Sequence, residues 1–169
     1  MKQDADAVIR YYTMIKNDEY YMKKALLEAK KAYQIGEVPI GCVIVYEDKI
    51  IARAHNEREL KQSSLAHAEI LAIKKACKKL NSWRLNDCIM YITLEPCAMC
   101  SGAIIQSRIP RVIYGAYDYR FGAHKSITNL FDVKFNHEVD IHGGVLQEEC
   151  SNLIQEFFKE LRIKKSCNS

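Results

Sequence analysis

The chain has 169 residues, 49% of them hydrophobic, and its 25 Lys and Arg against 21 Asp and Glu give a formal net charge of +4. This length suits about one domain, which can bury enough surface to fold without disulfide bonds. The composition argues against a mostly disordered chain. The longest uncharged run, residues 96–107, is also too short for a membrane-spanning helix, which needs about 20 apolar residues.

The beginning of the chain and its cysteines bear on its compartment. Asp4 and Asp6 are not followed by an apolar stretch, which argues against a secretory signal and against an acid-poor transit peptide. We therefore expect a cytoplasmic protein without a membrane partner. The cysteine count of seven is odd, and it favours free thiols or metal ligands over a disulfide framework.

The first part of the chain predicts one helix followed by a β-hairpin. Asn17 or Asp18 can cap a helix whose apolar residues recur at helical spacing, and Gly36 is placed to end it. Two β-branched runs, residues 40–46 and 49–54, are separated by a short polar break that suits a hairpin turn. We expect these runs to pair as antiparallel strands.

The remainder predicts helices that alternate with strands. Between residues 67 and 80 apolar side chains fall on one helical face and lysines on the other, and Asn81 is expected to end this helix. Helices alternating with strands cover a mixed sheet that has a parallel portion, so we predict one α/β domain over residues 1–169 with five strands. The later predicted elements are strands at 88–94, 111–115 and 139–142 and helices at 98–107 and 147–165.

Two short segments contain residues that can bind a metal. His67 begins a predicted helix, and Cys97 and Cys100 form a Cys-x-x-Cys pair where a predicted strand leads into a helix. Such a pair alone is typical of a redox motif or of half a structural zinc site. A structural site needs a second ligand pair, whereas the other cysteines stand alone in the sequence. Three ligands without an evident fourth favour an open zinc site, in which water takes the remaining position.

Glu69 is the candidate proton acceptor for this site. Two thiolates offset the charge of zinc, so bound water is acidified less than at an all-histidine site and a nearby base gains importance. Residues two apart in an ideal helix point about 200° from each other. His67 must therefore lie at or before the first turn if it is to share a site with Glu69. The alternative is a buried cysteine pair beside a helix-start histidine, without catalysis.

The order His-x-Glu, then Pro-Cys-x-x-Cys, is typical of zinc-dependent nucleobase deaminases. The flanking segments extend the likeness over residues 18–162, and with them the chain resembles the bacterial-type tRNA-specific adenosine deaminases. The segments that carry this resemblance are Asp18-Glu19-Tyr20, Glu37-Val38-Pro39-Ile40-Gly41, His55-Asn56, Ala66-His67-Ala68-Glu69-Ile70, Tyr91-Ile92-Thr93-Leu94-Glu95-Pro96-Cys97-Ala98-Met99-Cys100, Ser107-Arg108-Ile109 and Tyr114-Gly115-Ala116-Tyr117-Asp118.

The resemblance implies a fold, an activity and a set of site residues. The fold would be the three-layer α/β/α sandwich of cytidine deaminases, in a homodimer with one Zn²⁺ per subunit. The activity would be hydrolytic conversion of the wobble adenosine in a tRNA anticodon stem-loop to inosine. Carried over by position, His67, Cys97 and Cys100 would bind zinc. Glu69 would shuttle protons for a zinc-bound hydroxide, and Asn56 would contact the flipped nucleoside.

Several alternatives stay open at the level of sequence. The zinc signature does not select the base, so a free guanine or cytosine deaminase is a second hypothesis. The chain could also be the catalytic subunit of a heterodimeric tRNA deaminase, or a non-catalytic RNA-binding module. Asn56 could be an ordinary turn residue, and Phe157 could either stack on RNA or pack in the core. His124 and Lys125 are bulkier than the residues usual there in bacterial relatives.

Overall fold

A computed structural model describes the backbone of residues 2–167 and the side chains of residues 5–14 and 17–167. Five strands form one sheet with the order β2-β1-β3-β4-β5. The elements in chain order are α1 (Lys2–Gln34), β1 (Gly41–Tyr46), β2 (Lys49–His55), α2 (Arg58–Lys61), α3 (Ala68–Leu80), β3 (Cys88–Leu94), α4 (Ala98–Gln106), β4 (Arg111–Ala116), a 3₁₀ turn (Leu130–Asp132), β5 (Asp140–Gly143) and α5 (Gln147–Cys167).

The sheet is mixed, as predicted. β1 pairs antiparallel with β2 and with β3, whereas β3, β4 and β5 run parallel. The hairpin turn falls at Glu47 and Asp48, whose φ angles of 47° and 58° are both left-handed. Two left-handed central residues give the turn that matches the natural twist of paired strands. The polar break between the two β-branched runs is thus confirmed as a two-residue turn.

Helices cover both faces of the sheet, because successive residues of a strand point to opposite sides. On one face Ile44 and Met90 pack with Ala72 of α3 and Ile104 of α4. On the other face the neighbouring residues Val43 and Tyr91 pack with Met22 of α1 and Cys150 of α5. The three-layer α/β/α sandwich with five strands is confirmed.

α1 corrects one prediction, because it begins at Lys2 rather than after a cap at Asn17 or Asp18. The residues before position 17 include no proline or glycine that would stop a helix. Asp18 does not cap the helix. Its carboxylate accepts hydrogen bonds from the Tyr91 hydroxyl at 2.8 Å and from the Arg111 guanidinium at 3.0 Å. A long-range ion pair has replaced the predicted local cap.

In contrast to the start of α1, the helix ends agree closely with the predictions. Gly36, with φ of +78°, lies just beyond the end of α1, and Asn81, with φ of 50°, caps α3 in the left-handed conformation. Two elements, α2 and the 3₁₀ turn, were not predicted, because they are too short to show an apolar period. Phe157 is buried, and its ring packs edge to face on Tyr33 at 5.5 Å, so it belongs to the core.

None of the helices within residues 2–167 is both long and apolar enough to cross a bilayer.

Candidate active site

Two helix starts bring the three predicted metal ligands together. His67 is the N-cap of α3 and Cys97 is the N-cap of α4, and both have extended backbone conformations. Cys100 lies in the first turn of α4. One ligand atom from each of the three lies within 4.8 Å of the others. The extended N-cap position explains how His67 turns toward the site although it is only two residues from Glu69.

The spacing of these atoms fits a tetrahedral zinc ion. His67 Nδ1 is 3.8 Å from Cys97 Sγ and 3.6 Å from Cys100 Sγ. Zn–S bonds of about 2.3 Å and Zn–N bonds of about 2.0 Å at tetrahedral angles separate nitrogen from sulfur by about 3.5 Å. Within the described part of the chain the cluster comprises these three residues, without a fourth His, Cys, Asp or Glu. The donor set therefore fits zinc with one position left open.

Mutual hydrogen bonds shift the pKa values of the three ligand side chains in different directions. Hydrogen bonds of the Cys97 thiol with Cys100 and His67 lower its pKa to about 4, although partial burial opposes this shift. The hydrogen bond with Cys97 and burial raise the pKa of Cys100 well above its usual range. The hydrogen bond to Cys97 also raises the pKa of His67. The positive ends of two helix dipoles further favour a thiolate at this position.

Glu69 lies in the first turn of α3, next to the cluster. Its side chain is only 4% exposed, and its carboxyl hydrogen-bonds the Cys100 thiol. Burial raises the pKa of Glu69 to about 6, because the charged form loses its hydration. A carboxyl group with a pKa near neutrality can both accept and return a proton, which is the property a general acid–base catalyst needs.

Asn56 follows β2 directly and has an unusual environment. It is only 3% exposed, yet its Oδ1 atom has no hydrogen-bond partner among the described residues. The next residue, Glu57, donates its backbone N–H to Ala66, the residue before His67, at 3.0 Å. This link ties Asn56 to the start of α3. A buried acceptor without a partner costs about 1–3 kcal/mol, so it is a candidate to receive a ligand donor.

Glu95 belongs to the segment that contains the metal-binding cysteines, but its structural role was not predicted from the sequence. It is 2% exposed and accepts backbone hydrogen bonds from Asp118, His124, Lys125 and Ser126, and one from the Ser126 hydroxyl. Burial would raise the pKa of Glu95, but these donors outweigh it and hold the pKa below its usual range. In the sequence, the only indication of this role is that an acidic residue directly precedes the uncharged run of residues 96–107.

The two bulky residues that depart from the usual pattern have different environments. His124 is buried, and its Nδ1 lies 2.8 Å from the Tyr114 hydroxyl, while its ring packs edge to face on Phe131. Lys125 is exposed. The core therefore accommodates the bulk of His124, and only Lys125 projects to the surface.

Comparisons with known proteins bear on the family of this chain. A family model described as MafB19-like deaminase matches residues 16–162. The tRNA-specific adenosine deaminase of Bacillus subtilis is 52% identical over 149 residues, which cover 88% of this chain and 92% of that protein. The chain belongs to the tRNA-specific adenosine deaminases. A family member from Aquifex aeolicus is 50% identical over 145 residues, covering 85% of this chain and 95% of that protein.

Two solved structures share the fold of this chain. A chain from structural studies of A-to-I editing by tRNA:A34 deaminases superposes with a TM-score of 0.77 at 39% identity, covering 79% of this chain and 98% of that one. A guanine deaminase of Nitrosomonas europaea superposes with a TM-score of 0.72 at 24% identity, covering 82% and 83%. The second match shows the fold alone. The family's architecture is therefore shared with an enzyme named for a free base.

Proposed function

We propose that this chain hydrolyses the wobble adenosine of a tRNA anticodon stem-loop to inosine, with release of ammonia, in the cytoplasm. The observation that carries this proposal is the 52% identity over 149 residues to a protein named tRNA-specific adenosine deaminase. The convergence of His67, Cys97 and Cys100 supports the chemistry, since those three residues would hold one Zn²⁺ per chain. One deaminase domain, with its core at residues 18–162, would contain the whole site.

The protein groups divide the work of deamination. Zinc, when bound, supplies a Lewis acid that makes water more acidic. Glu69 takes the two protons of the attacking water in turn and delivers one to the ring nitrogen and the other to the departing amine, which leaves as ammonia. Its burial serves this role, because a base with a pKa of about 6 exchanges protons readily near neutral pH. An anticodon base lies outside a duplex, so turning it into the site costs at most a few kcal/mol.

Asn56 would orient the nucleoside through its unpartnered Oδ1 atom. We expect Asn56→Ala to lower kcat/KM by about 10- to 100-fold, because a hydrogen bond lost inside a protein–substrate complex costs about 1–3 kcal/mol. The melting temperature should stay constant or rise, since the change removes a buried acceptor that nothing in the described chain satisfies. Steady-state kinetics and thermal unfolding of the same preparation measure both effects.

The exposed Asn86 supplies a matched control for this change. Asn86→Ala should retain wild-type kinetics and stability. A fall in melting temperature of Asn56→Ala with unchanged kcat/KM would contradict the binding role and make Asn56 a turn residue.

The substrate is tested with purified protein of known zinc content. It is incubated with an anticodon stem-loop that carries adenosine at the wobble position, and separately with free adenine, guanine and cytosine. Nucleoside mass analysis should find inosine in the stem-loop and no deaminated free base. Product from a free base alone would contradict the tRNA proposal. Absence of any product from zinc-loaded protein would contradict independent catalysis and indicate a heterodimeric enzyme.

We further propose that the active form is a homodimer, which the family resemblance implies. One chain has a mass of 19.5 kDa. Light scattering during size exclusion should therefore give about twice this mass, and a monomer with full activity would contradict the proposal.

A further inference from the structure

We propose that Glu95 is a positioning residue for RNA binding: it holds residues 118–126, here called the rim segment, beside the metal-binding cysteines. The segment would then be ordered before RNA arrives and would receive the nucleotides next to the target adenosine. This inference rests on the proposed function, because it assigns the segment to the same substrate.

The hydrogen bonds of Glu95 converge from both ends of the rim segment. Oε1 accepts the backbone N–H groups of His124, Lys125 and Ser126 at 3.0, 2.7 and 3.1 Å. Oε2 accepts the N–H of Asp118 at 3.0 Å and the hydroxyl of Ser126. Hydrogen bonds to a charged acceptor are about twice as strong as neutral ones. One buried carboxylate thus closes a nine-residue loop that contains neither helix nor strand.

The same loop touches the metal-binding segment directly. Gly122 forms an isolated β-bridge with Cys97, and Ala123 donates its N–H to the Pro96 carbonyl at 2.9 Å. A Cβ atom added at Gly122 would lie 2.4 Å from Glu95 Cδ, so only glycine permits this close approach. The rim segment is therefore attached to the site on one side and to Glu95 on the other.

The outer part of the rim segment offers groups that suit single-stranded RNA. Tyr119 and Phe121 are 77% and 70% exposed. The Asp118 carboxylate accepts the N–H groups of Arg120 and Phe121, which shapes the turn between them. Exposed aromatic rings stack on unpaired bases, and an arginine pairs with phosphate or stacks on a base. An exposed phenylalanine ring adds nothing to the stability of the folded state. Two exposed aromatic rings beside the proposed deaminase site are instead suited to stacking on unpaired RNA bases.

Ordering the segment in advance has a kinetic signature. Binding to a mobile loop pays for the lost conformational freedom at the moment of association. The zinc ligands lie on α3 and α4, outside the rim segment. Loosening the segment should therefore weaken RNA binding while the metal and the chemical step are retained.

Glu95→Gln tests this proposal with the smallest change of shape. The amide NH₂ group cannot accept a hydrogen bond, so it faces backbone donors on whichever side it lies. We expect KM for the anticodon stem-loop to rise by about tenfold or more, the effect of losing one charge-assisted hydrogen bond. Zinc per chain and kcat should stay within about threefold of wild type, which corresponds to less than one such bond. Amide hydrogen exchange should accelerate across residues 118–126.

Glu37→Gln is the matched control. Glu37 is also 2% exposed, and its carboxylate accepts a hydrogen bond from the backbone N–H of Leu60 at 2.7 Å. A glutamine oxygen can keep this single bond, so KM and exchange should stay as in wild type. Should Glu95→Gln fail to fold, Ser126→Ala removes only the hydroxyl bond and should raise KM by a smaller factor.

Three results would overturn the proposal. Faster exchange of residues 118–126 with an unchanged KM would show that the segment does not receive RNA. Loss of zinc in parallel with activity would show that Glu95 supports the metal ligands instead. An equal rise in KM for Glu37→Gln would show a general effect of a buried amide. If wild-type protein deaminates no stem-loop, the proposed function fails. The affinity of Glu95→Gln and Glu37→Gln for the stem-loop, compared with that of wild-type protein, still tests the role of Glu95.

Discussion

Replacing Glu69 with glutamine is expected to lower kcat by about 10²- to 10⁴-fold, the contribution of a positioned general acid–base group. Glutamine has the size of glutamate but cannot take a proton from water. Zinc should remain at one ion per chain, because Glu69 is not among the three residues whose ligand atoms converge. The side chain is 4% exposed, so the neutral amide should also leave the melting temperature constant or raise it.

Single-turnover kinetics on the anticodon stem-loop, with zinc measured by elemental analysis, separates these effects. Glu37→Gln serves again as the control, since it is the same change at an equally buried position and should keep wild-type kcat. Glu69→Gln protein with full zinc and more than a tenth of the wild-type kcat would remove Glu69 from the acid–base role, because even a weak general acid–base group contributes about 10²-fold.

Replacing Cys97 with alanine should abolish both zinc binding and deamination. Two ligands, His67 and Cys100, would remain, whereas zinc sites in proteins use at least three protein ligands. A ligand that binds only the folded state adds to its stability, so the variant should melt at the temperature of wild-type protein after chelation of its metal. Activity should fall by at least about 10³-fold, since the Lewis acid that activates water is lost.

Cys77→Ala is the matched control for the cysteine change. Cys77 is half-buried on α3 and lies outside the metal-binding cluster. It should retain one zinc per chain and wild-type kcat/KM. One tightly bound zinc in the Cys97→Ala protein, with activity kept, would contradict the assignment of Cys97 as a ligand.

Local sequence patterns determined most of the architecture. Strand β3 runs from Cys88 to Leu94 as predicted, and Asn81 ends α3 in the left-handed conformation that its short polar side chain tolerates. The residues at which strands and helices end depend on neighbours within a few positions, so periodicity and turn chemistry could locate them. The metal-ligand candidates were also available, because Cys97 and Cys100 are separated by one helical turn.

Only the tertiary structure decided the functions of several polar side chains. Asp18 looked like a helix cap, but its partners Tyr91 and Arg111 lie 73 and 93 positions away. Glu95 likewise binds a segment 23–31 positions ahead, and the unpartnered oxygen of Asn56 exists only where chain folding encloses it. A buried polar group must find its partners wherever the fold brings donors, and no local period records that pairing. The sequence by itself therefore determined most of the secondary structure and the metal-binding motif, and the fold decided which partners the buried polar side chains find.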